Sequence, residues 1–342
     1  MKKICVLCFM ILFSYQCSLS GIGLSRASLG EKKIVTSTKR IYIPSYPGAY
    51  NPSIVKFEDN YLLTFRYLPS RSFQPWLSHI GIILLDESFE PISDAELLNT
   101  RTRFKGIPSQ SEDARIFSCN GKFYVIFNDN PDLMFPSIYD RRDMYIAELL
   151  FVDDQFLLSD PVKLVHGEKY PHVLWQKNWS PFEWNGMLLL SYMINPHEII
   201  CPDLENGYCQ RCYETQKSID WGFGSLRGGT PAQLIDGEYL AFFHSGIVTS
   251  SPSSDNRELW HYYMGAYTFS ATPPFEMTKI SSSPIDSPGF YTFSSYEKRV
   301  IYPGGFVAKG SKLYVAYGKD DSEIWIATID LNELKKSMVS AK

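Results

Sequence analysis

The chain has 342 residues, with 33 Lys and Arg against 37 Asp and Glu for a formal charge of −4, and no run of basic residues. This excludes the electrostatic footprint of a nucleic-acid binder and fits a neutral or weakly polar ligand better. The length allows one large domain or two small ones. Aromatic residues make up 15% of the chain and many fall in strand-like runs such as Phe123-Tyr124-Val125-Ile126-Phe127, so a sizeable core can be buried.

In chain order, Met1-Lys2-Lys3 precedes an apolar stretch from Ile4 to Tyr15 and then small and polar residues up to Gly21. That is the form of a secretory signal peptide over residues 1–21, too short for a comfortable membrane span. The expectation is a secreted or otherwise extracytoplasmic protein. Cys17 leaves lipidation open and an uncleaved anchor is a second alternative; either makes this segment the one link to a membrane.

From about residue 50 to 330 one pattern recurs five times: a short polar cluster, a strand, a tight turn and a second, very apolar strand. The clusters are Asn51-Pro52-Ser53-Ile54, Glu112-Asp113-Ala114-Arg115, Asn178-Trp179-Ser180-Pro181, Gly229-Thr230-Pro231-Ala232 and Pro303-Gly304-Gly305-Phe306. A spacing of roughly 50–75 residues is that of a propeller blade with its loops. Asn120-Gly121, Asn185-Gly186 and Asp236-Gly237 are preferred type I′ hairpin pairs, with Asp59-Asn60 and Lys309-Gly310 as weaker versions. The prediction is an all-β, five-bladed β-propeller filling residues 22–342 as a single domain. Its hairpins lie at about 53–66, 114–128, 181–193, 231–244 and 305–317, with their turns opposite the functional mouth.

In an antiparallel hairpin the start of the first strand and the end of the second lie at one end. Five radial hairpins therefore gather Asn51, Arg66, Glu112, Asp113, Arg115, Asp129, Lys177, Asn178, Tyr192, His197, Arg227, His244, Tyr302, Tyr317 and Asp321 at one mouth. Glu112 and Asp113 are adjacent, and since strand side chains alternate, only one of them is expected to face the funnel. Carboxylates from different blades, such as these and Asp321, can flank a sugar for glycosyl transfer, which needs an acid for the leaving oxygen and a separate group to direct the acceptor. Arg66, Lys177, Arg227, His197 and His244 supply donors for a phosphate or for sugar hydroxyls, and Trp179 offers a flat face for a sugar ring. Trp184, Trp221 and Trp260 read as core. Of seven cysteines in the chain, Cys119, Cys201, Cys209 and Cys212 lie beyond the signal segment. In an exported protein Cys201 is expected to bridge to Cys209 or Cys212, with Cys119 an inert buried thiol. Cys209-Gln210-Arg211-Cys212 is half a zinc site without a second half, so no metal is expected.

Taken together these segments resemble glycoside hydrolase family 130, five-bladed propellers active on β-mannosides. Glu112-Asp113-Ala114-Arg115-Ile116 is similar to the family's Glu-Asp-Pro-Arg strand, and Lys177-Asn178-Trp179-Ser180-Pro181-Phe182 to its lysine-containing third blade, followed by Pro196-His197. Arg227-Gly228-Gly229-Thr230-Pro231 with His244, and Tyr317-Gly318 with Asp321, are similar to the fourth and fifth blades. The resemblance implies that Asp113 is the general acid, acting through the mannose 3-hydroxyl. It implies that Arg66, Lys177, Arg227 and His244 lie near the acceptor or phosphate and that Asn51 and Asp321 hold the sugar. Glu112, Asn178, Tyr192, Tyr302 and Tyr317 at the same mouth are further candidates, with Arg66, for the substrate, and His197 for the acceptor or phosphate. Ala114 replaces the usual proline, and Asn178 stands where the phosphorylases follow the lysine with aspartate, which leaves water, phosphate or a second sugar open as acceptor. The partner implied is a β-mannoside oligosaccharide or glycan, with no cofactor beyond inorganic phosphate as a co-substrate. Two alternatives stand beside this: a sugar-binding propeller without catalysis, and a glycosidase like the five-bladed arabinanases and xylosidases.

Overall fold

The computed structural model describes residues 33–71, 77–101, 109–130, 141–167, 175–216 and 218–341, all within one compact unit. The signal-peptide segment and Cys17 lie outside the described residues. The first strand, β1 (Val35–Ile41), precedes the repeats. They begin with β2 (Tyr50–Phe57), β3 (Asn60–Tyr67), β4 (His79–Leu85) and the short β5 (Glu96–Leu97), an antiparallel sheet in that order. Next come β6 (Glu112–Cys119), β7 (Lys122–Asp129), β8 (Asp143–Val152), β9 (Gln155–Leu158) and β10 (Val162–Leu164), with both β9 and β10 on β8. The third sheet is β11 (Ser180–Trp184), β12 (Met187–Met193), β13 (Glu198–Pro202) and β14 (Cys209–Glu214).

The fourth repeat contains β15 (Ser225–Gly228), β16 (Gln233–Ile235), β17 (Glu238–Thr249), β18 (Leu259–Ser270) and β19 (Met277–Ser281). The fifth contains β20 (Lys298–Lys309), β21 (Lys312–Lys319) and β22 (Glu323–Asp330). A short parallel pairing of Trp260–Tyr262 with Lys298–Val300 joins these two into one ten-stranded sheet. β1 completes the fifth repeat by pairing with β22, from Val35 opposite Ile329 to Ile41 opposite Ile324. After α1 (Leu331–Ser337), whose N-terminus is capped by the Asp330 carboxylate accepting from Asn332 and Glu333, β23 (Met338–Ser340) pairs with β19. The N-terminal strand is thus sewn into the last repeat and the C-terminal strand into the fourth.

The three strong turns form as their sequences dictate: Asn120, Gly121, Asn185, Gly186, Asp236 and Gly237 all have positive φ, which Asn, Asp and Gly adopt at least cost. The two weaker turns shift by one residue, to Glu58-Asp59 and Gly310-Ser311. Inner strands neighbour one another in succession: β2 packs on β6, β6 on β11, β12 on β15, β17 on β20, and β20 back on β2. Glycine makes the closest of these approaches feasible, since a Cβ on Gly228 would sit 2.0 Å from the Asn178 carbonyl oxygen and one on Gly318 2.4 Å from Asn51 Oδ1. Apolar clusters fill the spaces between sheets. In one, Phe182, Phe269 and Phe275 meet edge to face at 5.2–5.4 Å around Phe182, each fully buried ring contributing about 1.5–3 kcal/mol by leaving water.

No disulfide is present among the described residues, which corrects the expected Cys201 bridge: Cys119, Cys201, Cys209 and Cys212 are free thiols. The β13–β14 register explains why Cys209 does not reach Cys201. Cys201 lies opposite Gln210 and Cys209 opposite Pro202, so the two thiols enter clusters on opposite faces of the sheet. Cys212 lies beside Cys201, within hydrogen-bonding reach, without a disulfide. Burial pushes the Cys119 thiol up to about 11 and that of Cys209 up to about 12, so both are poor nucleophiles. Alkylation followed by peptide mapping is expected to modify exposed Cys212 in the native protein, and Cys119 and Cys209 only after unfolding. A Cys201-linked peptide recovered before reduction, and split into two thiol peptides by reduction, would contradict the free thiols.

Candidate active site

The two ends of the repeats carry two cavities. One, of about 560 Å³, lies at the turn end among Lys56, Ser118, Asn185, Leu234 and Ala308. It is similar in size to the second but gathers no set of acids and bases: of its charged groups, Glu183 accepts from the Asn120 backbone N–H at 3.0 Å. The other, of about 510 Å³, lies where the first strands begin and is lined by Asn51, Arg66, Glu112, Asp113, Lys177, Asn178, Arg227, His244, Tyr302 and Asp321. Chemistry rather than size selects it, and it brings ten of the sequence-predicted residues together.

Asp113 reaches this cavity through a backbone irregularity. Glu112 pairs with Asn128 and Arg115 with Ile126, so β6 carries one residue more than β7 across this interval, and Asp113 takes φ +54°. A bulge of this kind re-aims side chains. It overturns the expectation that alternation would expel one carboxylate: Glu112 and Asp113 both line the cavity. β2 has the same extra residue between Tyr50 and Ser53, with Asn51 at φ +47°, and Asn178 just before β11 has φ +64°. Asx residues tolerate this conformation better than other non-glycines.

The two carboxylates differ in their partners. Glu112 is 5% exposed and ion-paired with Arg66 at 2.6 Å, Lys177 at 2.9 Å and Arg142 at 3.1 Å. Burial alone would favour its neutral form, but Arg66, Lys177 and Arg142 outweigh that and hold the carboxyl down at about 2. Glu112 is therefore a fixed anion. Asp113 Oδ1 accepts from Asn51 Nδ2 at 2.9 Å and from Arg66 at 3.4 Å. Its Oδ2 takes no hydrogen bond among the described residues.

Arg115 is the staple beneath. Only 1% exposed, it donates to the Asp113, Gly228 and Gly229 carbonyls, to Asn178 Oδ1 at 3.2 Å and to the Tyr302 hydroxyl at 2.8 Å. It thereby ties the second, third, fourth and fifth repeats together under the floor. Asp321 accepts from the Tyr296 hydroxyl at 2.7 Å, and Arg71 donates to its backbone carbonyl. Asn51 Oδ1 and His244 Nδ1 are buried polar atoms without a partner among the described residues. Burial, with Arg227 and Arg115 adding to it, keeps His244 well below the usual histidine range and so neutral.

Some expected residues lie elsewhere. His197 is 1% exposed, hydrogen-bonded to Ser191 Oγ at 3.0 Å and the Phe275 carbonyl at 2.8 Å, and burial lowers it to about 4; it is a core histidine. Tyr317 is 1% exposed in an apolar cluster against Phe290. Trp179, likewise 1% exposed, packs on Tyr192 rather than facing a ligand. Tyr192 lines a smaller adjoining hollow of about 180 Å³ with Lys177, Asn178 and Arg227. Asp129 is buried against Arg101 at 2.6 Å and Ser111. Conversely, Arg71, Arg142, Trp175, Tyr296 and Lys298 line the cavity without having been singled out. Trp175 is 53% exposed, with the Lys177 ammonium 4.8 Å from its ring. Among the described residues no group of three or more His, Cys, Asp or Glu is placed to hold a metal ion.

No family model and no curated protein matches the sequence. Solved structures do. β-1,2-Mannobiose phosphorylase from Listeria innocua aligns over 90% of this chain and 94% of its own at TM-score 0.57 and 16% identity. A family-130 protein, described with glycoside hydrolases that target β-1,2-mannosidic linkages in Candida mannan, aligns over 92% and 94% at TM-score 0.59 and 13% identity. The fold is that of glycoside hydrolase family 130. A mannose phosphorylase from Leishmania mexicana, solved with phosphate, aligns over 91% and 92% at TM-score 0.56 and 12% identity. In the family-130 fold found here, ten of the residues selected by the sequence resemblance share one cavity.

Proposed function

We propose that the five repeats are the blades of a propeller and that the cavity cleaves or transfers β-mannosidic linkages with inversion, Asp113 acting as general acid. The ring of neighbouring inner strands, with β1 sewn into the last repeat, supports the blade arrangement. The observation that carries the chemistry is the bulge that sets two adjacent carboxylates in one cavity and gives them unequal partners. Glu112, held ionised by three cations, cannot donate a proton. Asp113, anchored through one oxygen by Asn51 and open at the other, can. The proton passes from Asp113 through the sugar's 3-hydroxyl to the leaving oxygen as the glycosidic C–O bond breaks. In the same displacement the acceptor forms the new bond from the opposite face of the anomeric carbon: phosphate attacks as the anion, while water gives up one proton to solvent as its oxygen bonds to carbon. Asp321 accepts from sugar hydroxyls, and the exposed Trp175 ring gives an apolar sugar face somewhere to stack.

The acceptor side is cationic. Arg66, Arg142 and Lys177 are committed to Glu112, while Arg227 has no ion pair among the described residues and stands beside neutral His244. Arg227, like Lys298 on the cavity wall, has charge to spare for phosphate. Incubating the protein with β-mannobioses, with and without phosphate, tests the reading through its products: mannose 1-phosphate marks phosphorolysis and free mannose marks hydrolysis. If phosphate is the acceptor, Arg227→Ala lowers phosphate-dependent turnover by about tenfold or more, on the scale of a lost charge-assisted contact, and hydrolysis by less. No product from any β-mannoside would overturn the catalytic reading. The non-catalytic alternative requires Asp113 to be buried or turned away; Asp113 is 8% exposed but lines the cavity, which supports the catalytic reading, and turnover decides between the two. Export from the cytoplasm, proposed from the N-terminal segment, favours water or a sugar as acceptor, because a sugar phosphate made outside is hard to retain.

A further inference from the structure

The hairpin of the fourth repeat outruns its counterparts. β17 and β18 are 12 residues each and pair without a break from Glu238 opposite Ser270 to Thr249 opposite Leu259. His244 lines the cavity near the middle of β17, and the hairpin continues past it. On the face that His244 shares, alternation places Gly246 and Val248, directly opposite Tyr262 and Trp260. Tyr262 still lines the cavity, whereas Trp260 and Val248 lie beyond it, 41% and 47% exposed.

These groups form a surface rather than isolated exposed residues. The Trp260 and Tyr262 rings lie 5.9 Å apart with their planes 30° from parallel. Both extend over Gly246, where a Cβ would meet the Tyr262 ring at 3.2 Å and the Trp260 ring at 3.6 Å. The backbone beneath is fixed to the cavity wall, because Trp260 pairs with Lys298 and Tyr262 with Val300, and both partners line the cavity. A single exposed apolar side chain needs no explanation. Two rings inclined by 30° to each other and a valine running outward from a polar cavity make an apolar ledge continuous with it. The apolar faces of pyranose rings suit such a ledge, while the cavity supplies the charged and hydrogen-bonding groups.

We propose that this ledge is a distal subsite that holds a further sugar ring of an oligosaccharide whose scissile bond lies in the cavity. The inference rests on the carbohydrate reading of the cavity and goes beyond it in naming a substrate longer than a disaccharide. The test compares kcat/KM on a β-mannobiose and a β-mannotetraose for wild type, Trp260→Ala, Trp260→Phe and Val248→Asn. Wild type is expected to favour the tetraose by about threefold to tenfold through KM, the range one aromatic stacking contact supplies. Trp260→Ala removes that advantage and leaves mannobiose turnover within about twofold, Trp260→Phe restores most of the advantage, and Val248→Asn reduces it with Trp260 in place. A wild type indifferent to chain length, or a Trp260→Ala variant impaired equally on both substrates, overturns the subsite. Should wild type turn over neither sugar, calorimetric titration with the same two decides separately. Tetraose binding that is tighter and depends on Trp260 retains the ledge and removes the enzyme reading, whereas binding that is absent or independent of Trp260 overturns the ledge.

Discussion

Asp113→Asn is expected to lower kcat/KM on an unactivated β-mannoside by about 10²–10⁴-fold, the usual contribution of a general acid, while circular dichroism and unfolding remain close to wild type. The amide keeps the acceptor that Asn51 and Arg66 use at Oδ1 and loses only the transferable proton. Its volume is unchanged, so the bulge at Asp113 and the Arg115 contacts beneath it have no steric reason to shift. An activated leaving group, which needs little protonation, should recover much of the lost rate.

Glu112→Gln is expected to do the reverse, with a large effect on stability and a smaller one on turnover. Removing this anion leaves Arg66, Arg142 and Lys177 without their shared counter-charge in a site where Glu112 is 5% exposed. Breaking a buried ion pair from one side costs about 3–5 kcal/mol, which urea unfolding of the two proteins would read directly. The pH dependence has a definite sign. The folded carboxyl is held at about 2, below its ordinary 4.5, so its contribution is fully present above about 4.5 and is lost as pH falls toward about 2. Wild type and Glu112→Gln should therefore converge in stability in acid. A constant difference between them across that window would mean that Glu112 stabilises through shape rather than charge.

Much of this architecture was legible because each hairpin carries its own local signal. Asn120-Gly121, Asn185-Gly186 and Asp236-Gly237 demand positive φ at adjacent positions, and the apolar strands on either side leave little choice of pairing. Where the turn residues were less demanding, at Glu58-Asp59 and Gly310-Ser311, the register moved by one. The bulges were not legible from alternation, since an extra residue is invisible to a period of two. A signal was nonetheless present: Asn51, Asp113 and Asn178 hold corresponding places in their repeats and are residue types that tolerate the left-handed region.

Placement at a strand end did not settle which way a side chain points. Tyr317 lies near the expected end of its hairpin but turns into the space between sheets, and His197 is enclosed by Ser191 and the Phe275 carbonyl. The residues missed at the cavity have the opposite origin. Arg142, Trp175 and Tyr296 precede or follow the repeated hairpins, so no periodicity reports on them. Trp260 looked like core because tryptophan usually is. The length of the β17–β18 hairpin, which carries it past the cavity, emerges only from the pairing.

The most direct measurement is kcat/KM for wild type, Asp113→Asn and Glu112→Gln on one β-mannobiose, with urea unfolding of the same three preparations. The proposed roles predict that Asp113→Asn loses at least about a hundredfold in turnover with its stability intact, and that Glu112→Gln loses stability and less turnover. Near wild-type activity in Asp113→Asn, or a greater loss of turnover in Glu112→Gln, would contradict the assignment of Asp113 as the proton donor.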